Sequence, residues 1–119
     1  GIPDHQIEDV TLSNININFK GGGTKEDGAR IPPENANLYP EPWMFGTIPA
    51  SAFFIRHAKN IELNNIKINH QTPDFRPPLW MEDVDGVRII NFRTPIEKNV
   101  EPYKLSDVTN FKIFMSDFE

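Results

Sequence analysis

The chain has 119 residues, enough for one small domain. Its 12 Lys and Arg against 17 Asp and Glu leave a formal charge of −5 with no basic cluster, which argues against nucleic acid and anionic membrane surfaces as partners. With no cysteine, it has no disulfide, thiolate metal site or cysteine nucleophile, and no apolar run approaches the roughly 20 residues of a membrane helix. Helix formers are sparse, Asn and Pro are frequent, and Ile, Val and Phe recur in alternation, so the expected class is all-β. The chain opens at Gly1 rather than Met and contains no signal peptide, which fits a leader or a domain removed upstream.

The first element is "IEDVTLSNININ" from Ile7. A long insertion follows, 18–52. It opens on Gly21 to Gly23, which lack the Lys-Ser/Thr and strand-to-helix setting of a phosphate loop and read as a flexible loop. It ends on "YPEPWMFGTIP", Tyr39 to Pro49, stiffened by three prolines. Phe53 to Arg56 and "AKNIELNNIKIN" from Ala58 come next, then a short insertion, 69–78. Leu79 to Glu82 leads into "VDGVRIINFRTP" from Val84, a third insertion, 95–102, and finally Tyr103 to Ser106 and "VTNFKIFMSDFE" from Val108.

The four quoted strand segments align without gaps. One apolar column is Ile7, Ala58, Val84 and Val108, at steps of 51, 26 and 24 residues. Others are Val10, Ile61, Val87, Phe111; Leu12, Leu63, Ile89, Ile113; and Ile15, Ile66, Phe92. Alternation within a segment means one buried strand face, and a fixed period between segments means stacked units. Asp9, Asn60, Gly86 and Asn110 form one turn column, and Asn14, Asn65 and Asn91 form another whose amides can bond layer to layer, broken by Met115. Gln6, His57, Asp83 and Asp107 form a third.

Three strands and three corners per unit predict a parallel β-helix of about four coils, rising about 4.8 Å per coil, over the single segment 1–119. A β-sandwich of hairpins is the rival, but hairpin signals such as Asn-Gly are missing and the columns match in parallel. All three insertions leave after the third strand and would project from one corner, where repeat proteins build binding walls.

On that wall Tyr39, Trp43 and Phe45 have flat faces that suit sugar rings, although packing on the coil's flank is the favoured alternative. Glu41 lies among them. Arg56 and Glu82 fall in register on the outer face, where a cross-strand ion pair is expected and a ligand role, with Arg56 meeting a uronate carboxylate, is the alternative. Phe54 and Trp80 stack beside them, covered rather than exposed. His70, Asp74 and Arg76 share the short insertion, where surface solvation is expected and substrate contact is the alternative. Asp83 is a turn former. Histidine spacing gives no metal site, and no cofactor is implied. Phe111, Phe114, Met115 and Phe118 are candidates to cap the C-terminal end, whereas "GIPDHQ" is too polar to cover Val10, Leu12 and Ile15, so the first coil is expected to meet a preceding part of the solenoid or another copy.

"HQIEDVTLSNININF", "GGGTKEDGAR", "YPEPWMFGTIPASAFFIRHAKNIELNNIKI" and "RPPLWMEDVDGVRI" resemble the C-terminal region of polygalacturonase-like glycoside hydrolases, family twenty-eight, from gut-type bacteria. The resemblance spans nearly the whole chain. It implies a right-handed, single-stranded parallel β-helix, inverting hydrolysis of pectin-type polysaccharides, export to the periplasm or medium, and a cleft along one outer sheet face beside long loops. The family's Asn-Thr-Asp, Asp-Asp, Gly-His-Gly and Arg-Ile-Lys motifs are absent from this chain. The expectation is therefore the tail of such an enzyme, with no catalytic residue of its own. Tyr39, Glu41, Trp43, Phe45 and Arg56 are the candidate substrate-binding residues. A non-catalytic carbohydrate-binding or assembly module is the alternative.

Overall fold

The computed structural model describes residues 1–41 and 43–118; Pro42, one of the stiffening prolines, lies outside them, as does Glu119. Four long strands, β1 (Ile7–Gly21), β2 (Phe53–Thr72), β3 (Leu79–Thr94) and β4 (Tyr103–Phe114), lie side by side in that order. The two-residue β5 (Asp117–Phe118) pairs with β3, and one short helix, α1 (Lys25–Gly28), follows β1. Every pair of these strands is parallel, so the chain is mostly β with its parallel strands in one sheet. Among the described residues no helix is long and apolar enough to cross a membrane.

The strands are not straight. At about 3.3 Å per residue the 20 residues of β2 would stretch to about 65 Å, yet the longest dimension of the molecule is 36 Å. The bends sit at residues with left-handed backbone, which stack in three columns: His57, Asp83 and Asp107; Asp9, Asn60, Gly86 and Asn110; Asn14, Asn65, Asn91 and Met115. Asn, Asp and Gly take this conformation at least cost. Their side chains also bond along the stack. Asn65 donates to Asn14 (2.8 Å), Asn91 to Asn65 (3.0 Å), Asn60 to Asp9 (2.6 Å) and Asn110 to Asp85 (2.8 Å). Gln6 has no such backbone, and Met115 keeps it without an amide to offer.

The register follows the sequence columns at every predicted position. Ile7 pairs with Ala58, Ala58 with Val84 and Val84 with Val108; Leu12 pairs with Leu63, Leu63 with Ile89 and Ile89 with Ile113. Leu63, Ile66, Leu79, Met81, Ile89 and Phe92 are completely buried, each contributing about 1.5–3 kcal/mol of transfer free energy. Their counterparts Val10, Leu12, Ile15, Val108, Phe111 and Ile113 are only half-buried, because a strand at either end has a neighbour on one side alone.

Three expectations need correction. The first two insertions begin later, at 22 and 73, because alternation continues through Ile17 and Ile68 and through Phe19 and His70, which stay in register. Phe114 and Met115 are exposed and do not close the C-terminal end. Of the four candidates Phe118 does so, as expected, stacking on Phe92 at 5.8 Å with Tyr103 against it. Asp74 and Arg76 are not solvated but form an ion pair at 2.7 Å with the aspartate buried.

Candidate functional site: a clamped aromatic insertion

The described residues of 22–52 hold almost no regular structure beyond α1, yet they are tied down at several points. At the start, Gly22 donates its N–H to the Pro73 carbonyl and Gly23 donates to Asp74 Oδ2 (3.1 Å). A Cβ on Gly23 would sit 2.1 Å from Arg76 Nε, so this glycine is a packing requirement, not the flexible residue expected. Thr24 then caps α1, exchanging bonds with Asp27 in a capping box.

Three arginines hold the remainder. Arg76 pairs with Asp74 and donates to the Ile48 carbonyl (3.0 Å). Burial works against the charge on Asp74, but the hydrogen bonds from Arg76 and from Gly23 outweigh it and keep the carboxyl below its ordinary 3.8. The bonds to Asp74 in turn raise Arg76. Arg30 donates to the carbonyls of Phe45 and Thr47, closing the segment that bears the aromatics into a loop. Gly46, at φ 66°, lets the guanidinium approach; a Cβ there would meet Arg30 Nη2 at 2.6 Å. Arg56, from β2, donates to the Pro32 carbonyl (2.8 Å) and the Pro33 carbonyl (3.0 Å). Prolines suit this use, since they offer a carbonyl without a competing N–H.

The sequence-predicted residues therefore separate. Tyr39 and Trp43 are 82% and 72% exposed, so neither packs on the flank, and Glu41 is exposed between them. Phe45 is half-buried. Ile31 and Leu38 add further exposed apolar surface to the same insertion. Arg56 is only 8% exposed, and its guanidinium is spent on the insertion's backbone. Glu82 is in register with it, but at 3.9 Å the ion pair is secondary, and Glu34 is nearer at 3.6 Å. Arg56 supports the wall rather than standing in it. Phe54 and Trp80 meet at 5.1 Å and Trp80 is buried, as expected of a covered pair.

One constellation is only half legible in the sequence: His57 and Asp83 share a turn column, but nothing points to Glu34 as their neighbour. The His57 ring lies between Asp83 Oδ2 (2.6 Å from Nδ1) and Glu34 Oε1 (2.8 Å from Nε2). Burial opposes charge on the ring, but its bonds to the two carboxylates prevail and raise its pKa above 6.5. Asp83 is the turn former anticipated, with a second role at His57. Sequence offers no link from Glu34 to His57, because the insertion's path alone brings them together.

Chemically, the insertion presents the exposed rings of Tyr39 and Trp43 with the exposed carboxylate of Glu41 between them in sequence, a set suited to stacking on flat rings and accepting hydroxyl hydrogen bonds. Among the described residues no cluster of His, Asp and Glu is arranged to hold a metal ion. No family model, no curated protein and no solved structure matches the chain.

Proposed function

We propose that this chain is the C-terminal β-helix portion of a pectin-type polysaccharide glycoside hydrolase, a right-handed parallel β-helix of about four coils that completes the solenoid and contributes one wall of the substrate cleft. Three features support the architecture: strands too long for the molecule unless they turn, three stacked columns of left-handed residues, and a parallel register without exception among β1 to β5. The wall is Tyr39, Glu41, Trp43 and Phe45. The observation that carries this reading is the exposure of Tyr39 and Trp43 on an insertion that Arg30, Arg56 and Arg76 hold at the backbone. Large aromatics left in water on a secured segment suit a partner with flat apolar faces.

The pectic substrate, the hydrolase assignment and the secreted or periplasmic location rest on the sequence resemblance. The chain itself is inactive in this reading, since the family's acid and base motifs are not in it. Its N-terminal strand, with Ile7 exposed and Val10, Leu12 and Ile15 half-buried, takes a preceding coil of the solenoid or another copy.

The test is calorimetric titration of oligogalacturonide into the protein, as wild type and as Trp43→Ala. A stacking contact worth about 0.5–1.5 kcal/mol predicts up to about a tenfold loss of affinity in the variant. Absent binding, or equal binding by Trp43→Ala and Tyr39→Ala, sinks the carbohydrate wall. The absence of the catalytic motifs favours a second reading, a non-catalytic carbohydrate-binding or assembly module. The coding sequence upstream of Gly1 separates the two: an Asp-Asp pair and a Gly-His-Gly within a few coils belong to the hydrolase.

A further inference from the structure

We propose that Glu34, His57 and Asp83 form a proton-operated clamp that holds the aromatic insertion to a corner of the strand stack, so that pH sets how firmly the wall is presented. The role of the insertion as a carbohydrate wall is taken from the proposed function; the clamp itself rests on the geometry of His57.

Both ring nitrogens of His57 face carboxylates, Nδ1 toward Asp83 at 2.6 Å and Nε2 toward both oxygens of Glu34 at 2.8 and 2.9 Å. A carboxylate only accepts, and a neutral imidazole has one N–H. Both contacts are hydrogen bonds only when the ring carries two protons. Removing one leaves a nitrogen lone pair against a carboxylate. The two carboxylates differ in what else holds them. Asp83 is built into β3, at the left-handed corner of the next layer. Glu34 belongs to the insertion, outside any strand; the two carboxylate side chains are equally exposed, 40% and 42%, so the backbone that carries them makes the difference. The contact free to open is the one to Glu34.

Arg56 complements this switch. It precedes His57 in β2 and grips the carbonyls of Pro32 and Pro33, and neither bond depends on pH in the range where histidine titrates. The insertion thus has a permanent tie just before Glu34 and a switchable one at Glu34 itself. Other charged groups face the cluster from each neighbouring element. Arg56 lies 3.6 Å from Glu34, and Glu82 of β3 lies 3.9 Å from Arg56. Asp4 and Glu8 share a groove with Asp83. The Gly1 amino group lies close enough for its pKa to be lowered, first by burial and then by Arg56. With His57 raised above 6.5, the clamp is fully closed below that value and opens as pH rises through the raised one.

The experiment is an NMR titration of the whole chain between about pH 5.5 and about pH 9, reading the His57 ring and the backbone amides of Asn35 and Trp43. Wild type is compared with Glu34→Gln, a change at a half-exposed side chain, and His57→Asn, which tolerates the left-handed backbone. The expected result is a ring midpoint above 6.5 shared by the Asn35 amide, a lower ring midpoint in Glu34→Gln, and loss of the Asn35 transition in His57→Asn. A ring midpoint at or below 6.5 overturns the clamp. So does an Asn35 transition that survives in His57→Asn, which would belong to the Gly1 amino group. Oligogalacturonide affinity forms a separate arm, expected to weaken at least about threefold from acidic to alkaline pH in wild type and to stay level in Glu34→Gln. Linked midpoints without any sugar binding uphold the clamp and defeat the carbohydrate reading.

Discussion

Replacing Arg56 by Met tests whether the insertion is secured by a buried fork or merely lies on the strands. Met retains the apolar stem of the arginine and removes its donors. Two hydrogen bonds are lost, at 2.8 and 3.0 Å, from a charged donor to neutral carbonyls. Bonds of this kind contribute about 1.5–3 kcal/mol each. The Pro33 carbonyl belongs to an exposed residue and regains water once freed, whereas Pro32 is fully buried. The loss should therefore fall near the low end, about 3 kcal/mol in all. Arg56→Lys keeps the charge but not the planar fork, and should recover no more than about half. Glu82→Gln removes only the 3.9 Å pair and should cost at most about 1 kcal/mol. Urea unfolding by far-UV circular dichroism gives the stabilities, and Trp43 anisotropy follows the insertion. In Arg56→Met the anisotropy should fall before the strand signal, as the insertion opens locally. Coincident transitions with a change below about 0.5 kcal/mol would refute the fork. Full recovery by Lys would mean that only the charge opposite Glu34 and Glu82 matters.

Two further outcomes are expected. Asn65 has φ 54° and bonds to Asn14 and Asn91, so Asn65→Gly loses the bonds alone, while Asn65→Val also forces a β-branched residue into left-handed backbone. Urea unfolding should find the Val variant at least about 1 kcal/mol less stable than the Gly variant, despite valine's preference for strands; the reverse order removes the corner argument. Asp74 is held below its ordinary 3.8, so its contribution is complete above that value and fades as pH falls through the depressed one. Asp74→Asn should cost about 3 kcal/mol near neutral pH, with the gap to wild type shrinking below about pH 4 in pH-dependent thermal melts; a gap that widens in acid contradicts the assignment.

Much of the architecture can be read from spacing. Ile7, Ala58, Val84 and Val108 recur with the same neighbours, and the structure pairs them, because parallel strands stack like on like and a slip of one residue would turn every apolar side chain outward. The corners are legible for a related reason: Asn, Asp and Gly are the residues that accept left-handed backbone, and they fill most of the three columns. The aromatic set of the insertion is visible too, though not whether Tyr39 and Trp43 pack or project.

What the sequence determines by itself is therefore periodic: strand class, parallel register, the corner columns and the buried face, all of which follow from local conformational preference repeated at fixed steps. Only the tertiary structure decides which cation meets which carbonyl or carboxylate. Whereas His57 at Asp83 and Gly23 at Asp74 fall on the repeat steps of 26 and 51, Arg56 at Pro32 and Pro33 and His57 at Glu34 join residues 23 or 24 positions apart with no repeat to relate them. Such contacts depend on the course of a single irregular insertion, and hydrogen-bond geometry that holds to a few tenths of an ångström is set by that course and not by any pattern along the chain.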